Sequence, residues 1–171
     1  MFGAVALNPS DNSDQSVAAV LTLADIKIER LISLLQRFNL TLEVVDRFQP
    51  IPGSYWGEPE AGIIGTFIYA RMDTPIHSIL HEACHLIVMP PEKRITTHTN
   101  ASDSIEEENA TCYLQIVLAG HLPDVGKARL MADMDAWGYT YRLGSTKAWF
   151  ESDAEDARRW LEQAKLLPAS Q

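Results

Sequence analysis

The 171-residue sequence is poor in cysteine, in clustered basic residues and in long apolar runs. Its two cysteines, Cys84 and Cys112, form no C-x-x-C pair and are too few for a disulfide framework, which favours a reducing compartment. The chain has a formal net charge of −9 and no run of Lys or Arg, which argues against a nucleic-acid surface. No apolar stretch approaches the roughly 20 residues of a membrane span, and the start of the chain lacks the pattern of a signal peptide. We therefore expect a soluble, cytoplasmic protein with no nucleic-acid or membrane partner; no pattern in the sequence indicates its oligomeric state.

The length of the chain suits one domain with a sizeable core. Residues 8–16 are polar and rich in turn-forming side chains, which is typical of a mobile terminus. We expect residues 1–20 to be a flexible N-terminal segment and residues 21–171 to form a single domain.

Apolar periodicity and turn residues predict a few strands followed mostly by helices. The predicted elements are a helix over 23–38, a strand over 40–45, a loop over 49–62, a strand over 63–70, helices over 73–89, 104–120 and 123–137, a strand over 139–143 and a helix over 152–167. Asp73, Thr74 and Pro75 provide a capping side chain and a first-turn proline for the helix over 73–89. Ser152 and Glu155 are spaced as a capping box for the last helix. This order predicts an α+β fold with a small mixed or antiparallel sheet.

The segment 81–85, His-Glu-Ala-Cys-His, has the pattern H-E-x-x-H. Residues four apart on a helix share a face, so His81 and His85 can direct two imidazole nitrogens at one ion. Glu82 is offset around the helix, so its carboxylate can reach a water on the metal and act as the general base. Shuffling this composition produces the pattern on the order of 1% of the time, but burying these three side chains in an apolar helix would be costly without a partner. The pattern predicts a site for one Zn²⁺ per chain.

A catalytic zinc site usually has three protein ligands and one open position. No third histidine follows in the spacing H-E-x-x-H-x-x-G-x-x-H. The next acidic group is the run Glu106, Glu107 and Glu108 at the start of the following helix. This run also suits a plain helix N-terminus, because Ser104 and Glu107 fit a capping box and acidic side chains favour the positive end of the helix dipole.

A strand, an H-E-x-x-H helix, a loop and a second helix bearing a glutamate together resemble the gluzincin branch of the zincin metallopeptidases, over residues 61–120. In several small gluzincins the ligand glutamate is followed three residues later by alanine, and Glu107 with Ala110 matches that spacing. Many gluzincins also carry an aspartate that would fall at Thr111 here. The support that such an aspartate gives to a ligand is therefore missing or supplied elsewhere.

The resemblance implies a zincin-like fold and a set of site residues. That set is His81, His85 and Glu107 as zinc ligands and Glu82 as the catalytic base. Glu106 and Glu108 stay open as alternatives for the third ligand. The resemblance also implies that the strand over 63–70 borders the cleft, where its edge, if open, would pair with an extended peptide.

Four more residues are candidates for contacts with the substrate or transition state: His77, Tyr139, Tyr141 and Arg142. His77 lies one turn before His81 on the same helix face, where it either lines the cleft or is a partly buried structural histidine. The other three form a polar and aromatic group that can supply the proton donor or oxyanion stabiliser of a zincin. Core packing or an ordinary strand is the simpler account of these three residues.

The leading hypothesis from the sequence is a zinc-dependent metallopeptidase that hydrolyses peptide bonds in a peptide or protein substrate through a water activated by Glu82. One alternative is a zinc amidohydrolase acting on a non-protein amide, which fold and ligands alone do not separate from a peptidase. Another is a non-catalytic binding or regulatory module with a zincin fold. Glu82 disfavours the module, because a structural site has no use for a base beside the metal. The substrate and its cleavage specificity are not encoded in any pattern that we recognise.

Overall fold

The computed structural model describes residues 5–6, 19–101 and 104–170. The strands in this part of the chain are β1 (Val5–Ala6), β2 (Thr41–Val44), β3 (Gly62–Ile64), β4 (Phe67–Ala70) and β5 (Tyr139–Thr140). The helices are α1 (Ile28–Gln36), α2 (Ile76–Val88), α3 (Pro91–Arg94), α4 (Ile105–Ala119), α5 (Lys127–Trp137), α6 (Thr146–Ser152) and α7 (Glu155–Gln163). The fold is α+β, as predicted.

A small mixed sheet consists of β2, β4 and β3, in that order. β2 runs parallel to the central β4, with Leu42 opposite Ile68, and β3 runs antiparallel to β4, with Ile63 opposite Ile68. These three side chains are buried in the main hydrophobic core, so one face of the sheet packs inward. The structure thus confirms the predicted small mixed sheet.

The predicted strand over 63–70 is a hairpin, because the chain reverses between β3 and β4. Gly65 has a φ of 61°, a left-handed conformation that glycine adopts without steric cost. The outer edge of β3 is already paired: the Ile63 N–H donates to the Gly53 carbonyl (3.3 Å), and the Ile63 carbonyl accepts from the Thr99 N–H (3.0 Å). The edge that we expected to receive an extended peptide is therefore closed.

α2 is buried along almost its whole length, and Glu82 is its one residue that is only partly buried. Pro75 occupies the N-cap position without a side-chain cap. The expected cap, Thr74, instead accepts a hydrogen bond from the Arg71 N–H (2.8 Å). The helix lies where it was predicted, although its start is set by the proline and by tertiary burial.

α4 packs along α2. It begins at Ser104, whose hydroxyl oxygen accepts the N–H of Glu107 at 3.1 Å, so the predicted cap is present. The small side chains Ala110 and Cys112 are fully buried within it. The α2–α4 pair is the framework on which the site is built.

Several predicted boundaries differ from the structure. The helix expected over 152–167 corresponds to α7, and the preceding α6 was not predicted. Between the two helices Asp153 leaves the helical conformation (φ −137°, ψ 3°) and its carboxylate pairs with Arg142. Ser152 is consequently the last residue of α6 and caps nothing. The expected strand over 139–143 shortens to β5, the helix over 123–137 begins only at Lys127, and the helix over 23–38 is α1 preceded by a 3₁₀ turn at Leu23–Asp25.

Most of the segment 1–20, which we expect to be flexible, lies outside the described residues. Its described part includes β1, which pairs antiparallel with β5 so that Ala6 lies opposite Tyr139 and Val5 opposite Thr140. Among the described residues, no helix combines the length and the apolar character needed to cross a membrane.

Candidate metal centre

Two helices bring three ligand side chains to one point. α2 presents His81 and His85, and α4 presents Glu108 from its first turn. The two histidine Nε2 atoms are 3.0 Å apart. The Glu108 carboxylate reaches both, with Oε1 3.1 Å from Nε2 of His81 and Oε2 3.3 Å from Nε2 of His85. We call these three residues the ligand triangle.

The ligand triangle has the dimensions of a zinc site. Bonds of about 2.0–2.2 Å at a tetrahedral angle separate two zinc ligands by about 3.3 Å, and the three observed separations are 3.0, 3.1 and 3.3 Å. Within the described part of the chain, no fourth His, Cys, Asp or Glu joins this group. The residues present could therefore hold one metal ion through three side chains.

The carboxylate that the structure brings to the two histidines is that of Glu108, one of the two alternatives left open, and not that of Glu107, which the resemblance implied. A helix turns about 100° per residue, so adjacent glutamates point in different directions. Gln115 shares the face of Glu108, two turns further along α4, and contacts His81 directly. This face packs on α2, whereas the described contact of Glu107 is made by its backbone N–H, which donates to the cap at Ser104. Glu106, the other alternative, is exposed.

The two histidines are oriented from behind by side chains of α4. Nδ1 of His81 lies 2.7 Å from Oε1 of Gln115, and Gln115 in turn donates from Nε2 to the His77 carbonyl (3.3 Å). Nδ1 of His85 lies 3.4 Å from the Thr111 hydroxyl. Such contacts to the far nitrogen hold an imidazole with its other nitrogen toward the metal. Gln115 and Thr111 thus contact the two imidazoles on the nitrogens that do not face Glu108.

Gln115 did not emerge from the sequence as a site residue. Its position seven residues after Glu108 is the one available signal, because positions i and i+7 lie on the same face of a helix. That signal becomes informative only when the third ligand is correctly known. If Glu107 is taken as the third ligand, the same seven-residue spacing leads to Leu114 instead of Gln115.

Without a metal, the two neighbouring histidines of the ligand triangle influence each other's pKa. Burial on its own lowers the pKa of His81, but the neighbouring Tyr139 and the Glu108 carboxylate raise it, and the net direction is upward. Burial and the charge on His81 lower the pKa of His85 to about 3. The pKa values of the two histidines are thus shifted in opposite directions.

Glu82 stands beside the ligand triangle in a setting suited to a general base. Burial raises its pKa to about 7; the charge on His81 opposes this shift, whereas Glu108 and Glu60 add to it. A carboxylate with a pKa near neutrality can both accept and release a proton at physiological pH. Because Glu82 keeps some exposure on an otherwise buried helix, solvent reaches this side of the site.

Glu60 is a further acidic residue near the site that the sequence did not single out. It lies in the loop before β3, and its Oε1 accepts a hydrogen bond from Nε1 of Trp137 at 2.8 Å. Burial raises its pKa. Nothing in the spacing of a loop glutamate predicts this placement, because it depends on where α5 ends relative to the loop.

His77 and Tyr139 lie next to the ligand triangle, as two of the four additional candidates. Nδ1 of His77 is 3.3 Å from the Tyr139 hydroxyl, and its Nε2 is buried without a hydrogen-bond partner. The rings of Tyr139 and His81 are 6.0 Å apart, nearly perpendicular. Burial lowers the pKa of His77 to about 3, so this side chain is neutral in the folded protein.

Tyr141 and Arg142 have different surroundings. The Tyr141 ring stacks on Trp149 with a centroid distance of 4.6 Å, and its hydroxyl is buried without a hydrogen-bond partner. Arg142 forms an ion pair with Asp153, and its side chain is 60% exposed. The described contacts of the Arg142 guanidinium are therefore at the α6–α7 junction and not at the ligand triangle.

Comparison of the chain with protein-family models, with curated proteins and with solved structures gives no match in any of the three. The chemistry of the site must therefore be argued from its own residues.

Proposed function

We propose that this protein is a zinc-dependent metallopeptidase with a zincin-like fold of the gluzincin type, acting in the cytoplasm. The observation that carries the proposal is the ligand triangle of His81, His85 and Glu108, with its two imidazoles held from behind. Two histidines and one carboxylate, with a fourth position free, are the donor set of a catalytic zinc site, whereas structural sites usually have four protein ligands.

Zinc, when bound, would polarise a substrate carbonyl and make water a better nucleophile at neutral pH. Glu82 accepts the proton of the attacking water on its carboxylate and passes it to the nitrogen of the leaving amine. The partial exposure of Glu82 supports this role, because the base must meet both water and substrate. Tyr139, whose ring is 6.0 Å from that of His81, borders the same space.

A non-catalytic module is the weaker alternative. A purely structural site would not need a carboxylate with a pKa near 7 next to its ligands. An amidohydrolase acting on a non-protein amide would use the same residues, and only substrate profiling separates it from a peptidase.

The test combines metal analysis with a substrate panel. Purified wild type is expected to contain about one zinc per chain, and the His81→Ala, His85→Ala double variant none. Glu82→Gln should keep the zinc and lose hydrolysis of a quenched-fluorescent peptide library, by at least about 100-fold. Stoichiometric zinc in the double variant would refute the site, and hydrolysis of simple amides without any peptide cleavage would refute the peptidase assignment.

A further inference from the structure

The strand β5 lies directly beside the ligand triangle. α5 ends at Gly138, whose φ of 107° turns the chain out of the helix and into Tyr139. The buried Tyr139 side chain extends toward α2, where its hydroxyl is 3.3 Å from Nδ1 of His77 and its ring is 6.0 Å from that of His81. The backbone of β5 is therefore a short peptide edge next to the candidate metal centre.

This edge carries an extended peptide, because β1 pairs with it antiparallel. Ala6 lies opposite Tyr139 and Val5 opposite Thr140. Strand pairing of this kind is how many proteins hold an extended peptide ligand, since backbone hydrogen bonds do not depend on the ligand sequence. The chain itself thus demonstrates that the β5 edge accepts such a peptide.

The three-stranded sheet does not offer a comparable edge next to α2. β4 is paired on both sides, with β2 and β3. The outer side of β3 is bonded to Gly53 and Thr99, and Gly65 donates to the Thr97 carbonyl at 2.8 Å. An incoming peptide would have to displace two loops from β3 but only the two residues of β1 from β5.

We propose that peptide substrates bind as a strand on the β5 edge, at the position that Val5–Ala6 occupies, so that the N-terminal strand is a tethered competitor of the substrate. That the bound peptide is a substrate rests on the proposed function, whereas the binding of a peptide at the β5 edge does not depend on it. A strand rises about 3.3 Å per residue, so a peptide paired with Tyr139 comes within about two or three residues of the ligand triangle.

The expected ligand is an extended peptide that can form backbone pairs. It has no proline at the paired positions, because proline lacks the N–H donor and fits poorly in a paired strand. Since β1 pairs over only two residues, a peptide that pairs over more of its length displaces it. A tethered segment has an effective concentration of about 1 mM, so the wild-type chain excludes weakly binding peptides.

The test uses the full-length chain with substitutions in β1. A Val5→Pro, Ala6→Pro double variant removes both N–H donors, whereas Val5→Thr, Ala6→Ser keeps them and is the matched control. The probe is a fluorescein-labelled synthetic peptide with the sequence of residues 1–10, and its binding is followed by fluorescence anisotropy. We expect the proline variant to bind the probe at least about tenfold more tightly than wild type and the control, because the tethered competitor is gone.

A second probe, identical except for proline at positions 5 and 6, is expected not to bind. Equal affinity of the first probe for the proline variant and wild type, or equal binding of the two probes to the proline variant, would overturn the inference. Circular dichroism melting of the three proteins shows whether each is folded.

Zinc content and peptide hydrolysis, measured on the same samples, separate this inference from the proposed function. If the proline substitutions tighten probe binding in protein that holds no zinc and cleaves no peptide, peptide binding at the β5 edge is supported and the peptidase assignment is refuted. Zinc-dependent cleavage with unchanged probe binding would support the peptidase and refute the β5 edge.

Discussion

The side-chain oxygen of Gln115 lies 2.7 Å from Nδ1 of His81. The other ring nitrogen of His81, Nε2, faces His85 and Glu108. Because a carboxamide oxygen only accepts hydrogen bonds, the proton of His81 is held on Nδ1 once a metal takes Nε2. Both residues are buried, so water does not replace this contact. One residue of α4 thereby decides the tautomer and orientation of a ligand on α2.

Replacing Gln115 tests this contact. In Gln115→Leu the acceptor is lost, and zinc affinity should fall about 10–100-fold, the usual cost of removing a partner behind a ligand. Gln115→Glu keeps an acceptor oxygen at the same place and should retain tight binding. Competition titration against a chromophoric chelator measures both, and wild-type affinity in the leucine variant would contradict the assigned role.

The choice between adjacent glutamates is tested by a pair of isosteric variants. Glu108→Gln removes the charged ligand and should weaken zinc binding by more than roughly 100-fold, which is the largest usual loss of affinity when a residue that only supports a ligand is removed. Glu107→Gln removes a carboxylate that is not part of the ligand triangle and should bind zinc as the wild type does. Zinc per chain, measured after dialysis against a weak chelator, reads out the difference. The opposite pattern would restore the assignment based on family spacing.

The buried His77 makes the metal-free protein sensitive to acid. Burial lowers its folded-state pKa to about 3, whereas an unfolded histidine titrates near pH 6.5. Between these values the unfolded chain binds more protons, so the free energy of unfolding falls as the pH is lowered from 6.5 toward 3. For His77 alone the loss between pH 6.5 and 5 is about 1–2 kcal/mol.

Urea denaturation at several pH values measures this effect. His77→Gln should show a shallower loss of stability than wild type over the same range, by about that amount. His121→Gln, which removes an exposed histidine, is the control and should keep the wild-type slope. Identical slopes for wild type and His77→Gln would show that His77 is not held neutral.

The loop that carries Glu60 depends on a close backbone approach at Gly62. A Cβ at this position would lie 2.0 Å from the Pro52 carbonyl oxygen and 2.4 Å from the Ser54 nitrogen, and neither atom belongs to a flexible side chain. Gly62→Ala should therefore lower the free energy of unfolding by about 2–4 kcal/mol.

Gly57→Ala is the comparison for this loop. Gly57 has a φ of 88° but open space around the added carbon, so the substitution should cost only about 1 kcal/mol of backbone strain. Thermal melts of both variants give the two losses. Equal losses would mean that the loop can move away from Gly62.

Local patterns were sufficient for the helix that bears His81, Glu82 and His85. Four-residue spacing puts the two histidines on one face whatever the rest of the fold does, and the α+β class followed from the order of helical and extended segments. The cap at Ser104 was equally readable, because it involves residues only three apart.

Turns hidden inside apolar or helical patterns were not predicted. The hairpin at Gly65 interrupts a run that reads as one strand, and between α6 and α7 the Asp153 carboxylate pairs with Arg142, eleven residues away. Periodicity describes residues along one segment, so it gives no information about a contact with a residue of another segment.

The H-E-x-x-H pattern by itself predicted two candidate metal ligands and a candidate base, and the helix that carries them is confirmed. Only the tertiary structure decided that Glu108 completes the ligand triangle, that Gln115 and Thr111 orient the histidines, and that β5 borders the site. The physical reason is the rotation of α4 about its axis: a change of one residue turns a side chain by about 100°. That rotation is set by how α4 packs against α2, which no short stretch of sequence contains.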